Sequence, residues 1–268
     1  MAKAKRHYLP GQIWHITHRC HKREFLLKFT KDRRRWIALL LEATKRYGLV
    51  VLNYMITSNH IHLLVYDGSG REVIPRSIQL VAGRSGQEYN DRKRRRGAFW
   101  QDRYHATAVE DGDHLLRCIV YLDLNMVRAG VLNHPSAWPF SGYHEIQQPR
   151  RKCAVVAYDK LQELSGFSAY DGLRAAHREW LEASLKDGGC VREAKWTESI
   201  AVGSEEFTKR IKEGLGVRAK GRDVFANGDV FHLRERGGVY GDDSCLENDD
   251  IGLENEVFWN VLPARSEG

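Results

Sequence analysis

The sequence has no long hydrophobic run and few cysteines. None of its stretches reaches the ~18 consecutive apolar residues of a membrane span, and its beginning, MAKAKRHYLPGQ, lacks the apolar segment of a signal peptide. Its five cysteines are odd in number, widely spaced and without a Cys-x-x-Cys pair, which argues against a disulfide framework and a zinc knuckle. We therefore expect a cytoplasmic protein that does not associate with membranes and is stabilised by a hydrophobic core.

Acidic residues are scarce in the first half of the chain. Residues 1–130 contain 24 Lys and Arg against 12 Asp and Glu, a net charge of +12, whereas the remaining residues contain 18 against 23, a net charge of −5. A basic half joined to an acidic half is typical of a protein that binds a polyanion. The runs KDRRRW (31–36) and DRKRRRG (91–97) are of a kind that more often forms solvated helix faces, but their concentration in the basic half favours a nucleic-acid partner.

The first 130 residues alternate between strand and helix patterns. The predicted elements are, in order, a strand at 12–20, a helix with Thr30 as N-cap and Gly48 as terminator, a hairpin of strands at 49–59 and 60–68, a helix from Ile74 into the basic run, a strand at 98–110, and a helix over 113–130 with Asp113 as cap and Gly130 as terminator.

The order β-α-β-β-α-β followed by a helix predicts an α+β fold of the split βαβ, ferredoxin-like type. In this arrangement the first and third strands lie in the middle of the sheet. Beyond residue 148 the helical patterns are weaker, and the last residues are rich in Gly and acidic side chains. We therefore divide the chain into a principal domain (1–147), a mainly helical accessory region (148–236) and an acidic, Gly-rich tail (237–268).

The run ITSNHIHLLV (56–65) places two histidines in a short apolar strand. Side chains alternate along a strand, so His60, His62 and Leu64 share one face and the apolar residues between them share the other. The Cα atoms of the two histidines are then about 6.6 Å apart, which allows both imidazoles to bind one ion. The alternative is a pair of half-buried polar histidines at a sheet surface, and this stretch alone does not decide between the two.

A second group of polar residues lies on the helix predicted over 113–130. Tyr121, Asn125 and Arg128 are spaced i, i+4 and i+7 and form a polar face with His114 and Arg117. A helical tyrosine is usually a core or boundary residue whose hydroxyl finds a partner. Here its neighbours are a carboxamide and guanidinium groups, so the second interpretation is a nucleophilic phenol beside a metal to which Asn125 supplies an oxygen. The separate apolar stripe of this helix consists of Leu116, Ile119, Val120, Leu124 and Val127.

Four motifs, in this order and spacing, together resemble one known family: SNHIHLLV, RYHATAVE, YLDLNMVRAGVL and WPFSGY. They resemble the single-tyrosine HUH transposases (HUH denotes His, a hydrophobic residue, His), and more narrowly the REP-associated tyrosine transposases of bacteria, over about residues 8–145. The resemblance implies that His60 and His62 are catalytic metal ligands, Asn125 the third ligand and Tyr121 the nucleophile. Ser58 and Met126 stand where the family usually has proline, which puts turn rigidity and helix-end geometry in question.

The resemblance implies an enzyme that uses Mg²⁺ or Mn²⁺ to cleave and rejoin single-stranded DNA beside a hairpin, through a 5′-phosphotyrosine intermediate. The metal would act as Lewis acid and template on the scissile phosphate. We expect a monomer or homodimer. Two alternatives stay open: a rolling-circle or mobilisation nuclease with the same chemistry, and a nucleic-acid-binding module on the same fold that does not cleave. The expected phosphate contacts come from Arg117, Arg128 and the basic run Arg92, Lys93, Arg94, Arg95 and Arg96.

Overall fold

The sheet at the centre of the fold takes strands from both halves of the chain. A computed structural model describes residues 9–68, 70–186 and 191–235, so the predicted acidic tail at 237–268 lies outside the described residues. The described strands are β1 (Ile13–Arg19), β2 (Val50–Ile56), β3 (His60–Tyr66), β4 (His105–Val109), β5 (Ala201–Gly203), β6 (Arg222–Asn227) and β7 (Val230–Glu235). They form a seven-stranded sheet in the order β2-β3-β1-β4-β5-β7-β6, antiparallel except where β4 meets β5.

The helices connect these strands and cover both faces of the sheet. The described α-helices are α1 (Thr30–Tyr47), α2 (Val73–Lys93), α3 (Asp113–Asp123), α4 (Asn125–Arg128), α5 (Tyr143–Gln147), α6 (Tyr158–Leu164), α7 (Tyr170–Lys186), α8 (Lys195–Glu198) and α9 (Glu205–Leu215). Short 3₁₀ turns lie at His21–Arg23, Pro135–Ala137 and Gly216–Ala219. Within the described ranges, no helix combines the length and apolar character that a bilayer crossing requires.

The predicted split βαβ arrangement is confirmed. Its elements follow one another as expected, and β1 and β3 are neighbours inside the sheet. The two strands pair in antiparallel register, with Arg19 opposite His60 and Thr17 opposite His62. Opposed residues of a strand pair project from the same face, and side chains alternate along each strand. His15 therefore shares the face that carries the histidine pair.

Different helices cover the two faces of the sheet. His18 of β1 stacks on Trp100 with ring centroids 4.1 Å apart, and the Trp100 indole donates a hydrogen bond to the carbonyl of Ala82 in α2. Because α1 packs on α2, both helices lie on this face. His15, on the opposite face, contacts Tyr121 of α3 and Trp196 of α8. The histidine pair therefore faces α3 and α8.

The accessory region contributes strands that the sequence reading did not predict. The predicted helical segments appear as α6, α7 and α9, but β5, β6 and β7 extend the sheet beyond β4. β5 is only three residues long, too short for an alternating pattern, and it forms against the edge of β4. The β6–β7 hairpin did carry a local signal. Its two-residue loop is Gly228-Asp229, with Gly228 at φ 62°, between two short runs that each contain three apolar residues.

The ends of several elements differ from the sequence prediction. Thr30 and Asp113 are the first residues of their helices rather than caps, because Phe29 and Gly112 occupy the N-cap positions. The terminators are confirmed: Gly48 and Gly130 have φ values of 70° and 67°, which favour glycine. The predicted helix over 113–130 is divided at Leu124 into α3 and α4. β4 is shorter than the strand predicted at 98–110.

A buried polar network fixes the accessory helix α7 against α3. The Asp123 carboxylate, at the last residue of α3, accepts hydrogen bonds from Asn53 of β2 (3.1 Å) and from His177 Nε2 of α7 (2.8 Å). The other His177 ring nitrogen accepts from the Gln147 amide at 2.7 Å. Asp123 and His177 are completely buried, so each bond satisfies a group that water cannot reach. The orientation of α3 therefore depends on residues from β2 and from α7.

Candidate active site

His60 lies at the start of β3 and is oriented by the turn that precedes it. Its Nδ1 is 2.7 Å from Asn59 Oδ1 and 3.0 Å from Thr57 Oγ1. The Thr57 hydroxyl donates to the His60 carbonyl (2.9 Å), so both oxygens near Nδ1 act as acceptors. The proton of the neutral ring therefore lies on Nδ1, and Nε2 carries the lone pair that a metal ion requires.

His62 lies two residues further on and is bonded through both ring nitrogens. Its Nδ1 is 2.9 Å from Nε2 of His15, and its Nε2 is 3.1 Å from the side-chain nitrogen of Asn125. Burial lowers the pKa of His62 well below its usual value and that of His15 to about 3. Both rings are therefore neutral at physiological pH, the state in which imidazole binds metals.

The residues predicted to bind metal converge from β3 and α4. Asn125 is the first residue of α4, directly after the break at Leu124, and its carboxamide reaches the imidazole of His62. Residues 9–68, 70–186 and 191–235 contain no cluster of three His, Cys, Asp or Glu side chains suited to a metal. The candidate set instead combines two imidazoles with a carboxamide, so it offers nitrogen and oxygen donors suited to a divalent cation.

Tyr121 lies beside the histidines. The polar face predicted for Tyr121 is buried at this position. Its side chain is only 5% exposed, because Trp196 and Arg128 cover it. The ring centroid of Tyr121 is 6.4 Å from that of His62, and the Arg128 guanidinium carbon is 4.1 Å from the tyrosine ring centroid. Burial raises the pKa of the Tyr121 hydroxyl, whereas the Arg128 charge lowers it. The helical spacing predicted the contact of Tyr121 with Arg128 but not the contact with Trp196.

The basic residues expected to contact DNA fall into two groups. Arg128 lies at the site, where its Nη2 donates to the Tyr121 carbonyl at 2.6 Å. Arg117 was predicted to share a polar face with Tyr121. It instead pairs with Asp229 of the β6–β7 loop at 2.6 Å. Within the basic run, Arg92 pairs with Asp32 and Arg95 with Glu24. The remaining members of the run are exposed: Lys93, Arg94 and Arg96.

Comparison with known proteins finds a family that part of the principal domain resembles. Residues 10–123 match the family described as IS200-like transposases. Over this range the chain is similar to that family. The match includes β1, β3 and Tyr121 and ends two residues before Asn125. No curated protein matches the chain.

Two solved structures resemble parts of this chain at 18% sequence identity. One is a REP-associated tyrosine transposase bound to a REP hairpin; the similarity covers 54% of this chain and 84% of that protein, with a TM-score of 0.46. The other is a protein designated a transposase from Deinococcus radiodurans R1; the similarity covers 41% of this chain and 87% of that protein, with a TM-score of 0.32.

Two residues of the candidate site, His15 and Trp196, were not identified from the sequence. His15 follows from the strand pattern of QIWHITHRC, since every second residue of β1 shares the face of the histidine pair. Trp196 carries no such signal. Its carbonyl accepts a hydrogen bond from His15 at 2.8 Å and its ring packs against Tyr121, although it lies 181 residues beyond His15 in the chain. Only the folding of the accessory region onto the principal domain places it there.

The turn before His60 is supported by a buried arginine. Ser58, which stands where the family usually has proline, accepts a 2.8 Å hydrogen bond from Nη2 of Arg33. The Arg33 guanidinium carbon also lies over the rings of Trp138 and Phe140, at 4.6 and 5.1 Å from their centroids. Arg33 is only 3% exposed. A side-chain contact with α1 therefore supports this turn at the position where the family usually has proline.

We expect Ser58→Ala to lower the free energy of unfolding by about 1–2 kcal/mol, because it leaves a buried charged donor without its acceptor. In an Arg33→Met background the same change should cost less than about 0.5 kcal/mol, since the donor is already absent. Urea unfolding of the four proteins measures both costs. Equal costs in the two backgrounds would show that the hydrogen bond does not support the turn.

Proposed function

We propose that this protein is an IS200-like transposase that cleaves and rejoins single-stranded DNA beside a hairpin, through a covalent bond between Tyr121 and the DNA. The observation that supports the proposal best is the convergence of Tyr121, the histidine pair and Asn125 on one face of the sheet. These residues come from β3, α3 and α4, and their types match a phenol nucleophile beside a metal site. The hairpin and the narrower REP-associated assignment come from the motif resemblance.

Mg²⁺ or Mn²⁺ fits the residues at this site. His60 and His62 would hold the cation through their Nε2 atoms and Asn125 through its carboxamide oxygen. The neutral state of His62 and the Nδ1 contacts of both histidines support this assignment. A bound divalent cation would draw charge from the scissile phosphodiester and orient it.

The chemical step requires the hydroxyl of Tyr121 to lose its proton to solvent as its oxygen attacks phosphorus. The new bond joins Tyr121 to the 5′ phosphate, while the bond to the 3′ oxygen breaks and that oxygen takes a proton. The phosphotyrosine link conserves the bond energy, so rejoining needs no ATP. Arg128 assists because its charge, 4.1 Å from the ring centroid, opposes the effect of burial on the pKa of the phenol.

The proposed substrate is single-stranded because attack on one strand at a sheet face requires an unpaired segment. The basic first half would supply the phosphate contacts, with the exposed residues Arg94 and Arg96 better placed for them than Arg92 and Arg95, which pair within the protein. A DNA substrate agrees with the expected cytoplasmic location. Whether one copy or two act together stays a prediction.

One observation favours a second candidate, a module that binds DNA without cleaving it. Tyr121 is 5% exposed and lies against Trp196, so its hydroxyl reaches a phosphate only after the side chain or α8 moves. In the binding-only case Tyr121 is a packing residue of the helix. The two candidates differ in one product, a covalent protein–DNA adduct.

We expect Tyr121→Phe to abolish the covalent adduct and cleavage while the fold and hairpin binding persist, because only the hydroxyl is removed. The test is incubation with hairpin-bearing single-stranded DNA and Mn²⁺, followed by denaturing electrophoresis and peptide mapping of the adduct. Tyr104→Phe, at another buried tyrosine, is the control that keeps the adduct. A phosphotyrosyl link at Tyr104 or Tyr143 would falsify the assignment, and the absence of any adduct with wild type would favour the binding module.

We expect His60→Ala and His62→Ala to abolish cleavage and to leave binding of single-stranded DNA largely intact, since phosphate contacts dominate affinity. Cleavage is measured in metal-scrubbed buffer to which Mg²⁺ or Mn²⁺ is returned. His134→Ala, which removes a histidine away from the sheet, should keep the wild-type rate. Cleavage at the wild-type rate by either site variant would rule out the metal site.

We expect the affinity for single-stranded DNA to fall steeply with salt, because binding releases counterions. The double change Arg94→Glu and Arg96→Glu should reduce the slope of log affinity against log salt by about 1.4, or ~0.7 for each lost phosphate contact. The control, Arg151→Glu with Lys152→Glu, makes the same charge change at exposed residues of the accessory region. Equal slopes in the two double variants would mean that net charge, not the basic run, drives binding.

A further inference from the structure

Four groups form a continuous chain of hydrogen bonds that ends at the proposed metal site. The Trp196 carbonyl oxygen is 2.8 Å from His15 Nδ1, and His15 Nε2 is 2.9 Å from His62 Nδ1. His62 Nε2 is in turn 3.1 Å from the Asn125 amide nitrogen. We name these four groups the imidazole relay. His15 is completely buried and His62 is 3% exposed, so neither ring exchanges its partners for water.

The relay has a direction because its first member is a carbonyl. A carbonyl oxygen only accepts, so His15 must carry its proton on Nδ1. The second nitrogen of a neutral imidazole is an acceptor, which makes His15 Nε2 the acceptor of the His62 Nδ1 proton. The lone pair of His62 then lies on Nε2, where the Asn125 amide donates to it.

We propose that His15 is a positioning residue that holds His62 in the tautomer with its proton on Nδ1, so that Nε2 is ready to bind the divalent cation. This inference rests on the proposed metal site. Without His15, the Nδ1 proton of His62 has no fixed acceptor. The Asn125 carboxamide can pair with either tautomer, through its nitrogen when Nε2 is an acceptor and through its oxygen when Nε2 carries the proton, so His62 populates both. In the other tautomer the proton occupies the nitrogen that the metal requires.

The carbonyl group that fixes the tautomer of His15 lies outside the part of the chain that matches the family. The IS200-like match covers residues 10–123, whereas the carbonyl that directs the relay belongs to α8, between residues 195 and 198. The ring of the same Trp196 packs against Tyr121, with centroids 6.0 Å apart. The accessory region thus acts on the metal ligand through its backbone and on the proposed nucleophile through a side chain.

His60 provides an internal control. Its Nδ1 proton is held by Asn59 and Thr57, in the turn that precedes it, and not by His15. A change at His15 that acted by general loosening of the site would disturb both histidines. A change that acts through the relay should alter the tautomer of His62 and leave that of His60 as it is.

The experiment compares wild type with His15→Leu and His15→Gln. The ring ¹⁵N shifts of His60 and His62, assigned in the full-length protein without metal, report each tautomer, and calorimetric titration with Mn²⁺ reports affinity. We expect His15→Leu to give mixed tautomers of His62, an unchanged His60 and a 10–100-fold weaker affinity for Mn²⁺. His15→Gln should restore most of both properties, because its amide can donate to Trp196 and accept from His62.

Three results would overturn the inference. They are a wild-type His62 with its proton on Nε2, a His15→Leu protein with wild-type tautomer and affinity, and equal losses of affinity in the Leu and Gln variants. The first result is obtained from wild type alone, so it decides even if His15→Leu does not fold. A wild type that binds no Mn²⁺ would reject the metal site itself, and the tautomers, which are read without metal, separate that failure from a failure of the relay.

Discussion

The antiparallel pairing of β1 with β3 is the constraint on which the rest of the site depends. It places Arg19 opposite His60 and Thr17 opposite His62, with His15 one diagonal step away on the same face. A shift of this register by one residue would turn the side chains of one strand to the opposite face of the sheet, towards α1 and α2. Because both strands are internal, neighbours on each side hold the register. The site is thus built on two strands that are each paired on both sides.

The accessory region is part of the same structure rather than an appendage to it. β5 continues the sheet from the edge of β4, His177 of α7 bonds to Asp123 at the end of α3, and Trp196 contacts both His15 and Tyr121. These contacts act at α3, which carries the proposed nucleophile, and at β1, which carries the histidine that contacts His62. Loss of the accessory region would expose the edge of β4. It would also remove one contact partner from α3 and one from β1.

One positive charge serves two requirements of the site. Arg128 lowers the pKa of His62, which helps to keep the imidazole neutral, and it also lowers the pKa of Tyr121, which favours the phenolate. A cation has the same sign of effect on both groups, since it disfavours an added proton on either. Burial has opposite consequences: it keeps the histidine neutral but also disfavours the phenolate. Arg128 therefore offsets part of the rise in the pKa of Tyr121 that burial causes, while the same burial keeps His62 neutral.

The sequence by itself determined the features that depend on local periodicity and backbone geometry. The alternation of a strand put His60 and His62 on one face, the helical repeat put Arg128 beside Tyr121, and glycine marked the helix ends at Gly48 and Gly130. Only the tertiary structure decided that Tyr121 is buried, that Arg117 pairs with Asp229 and that the Trp196 carbonyl meets His15. The reason is that periodicity describes one element at a time. Burial, ion pairing and the orientation of a buried imidazole depend on which distant element packs against it.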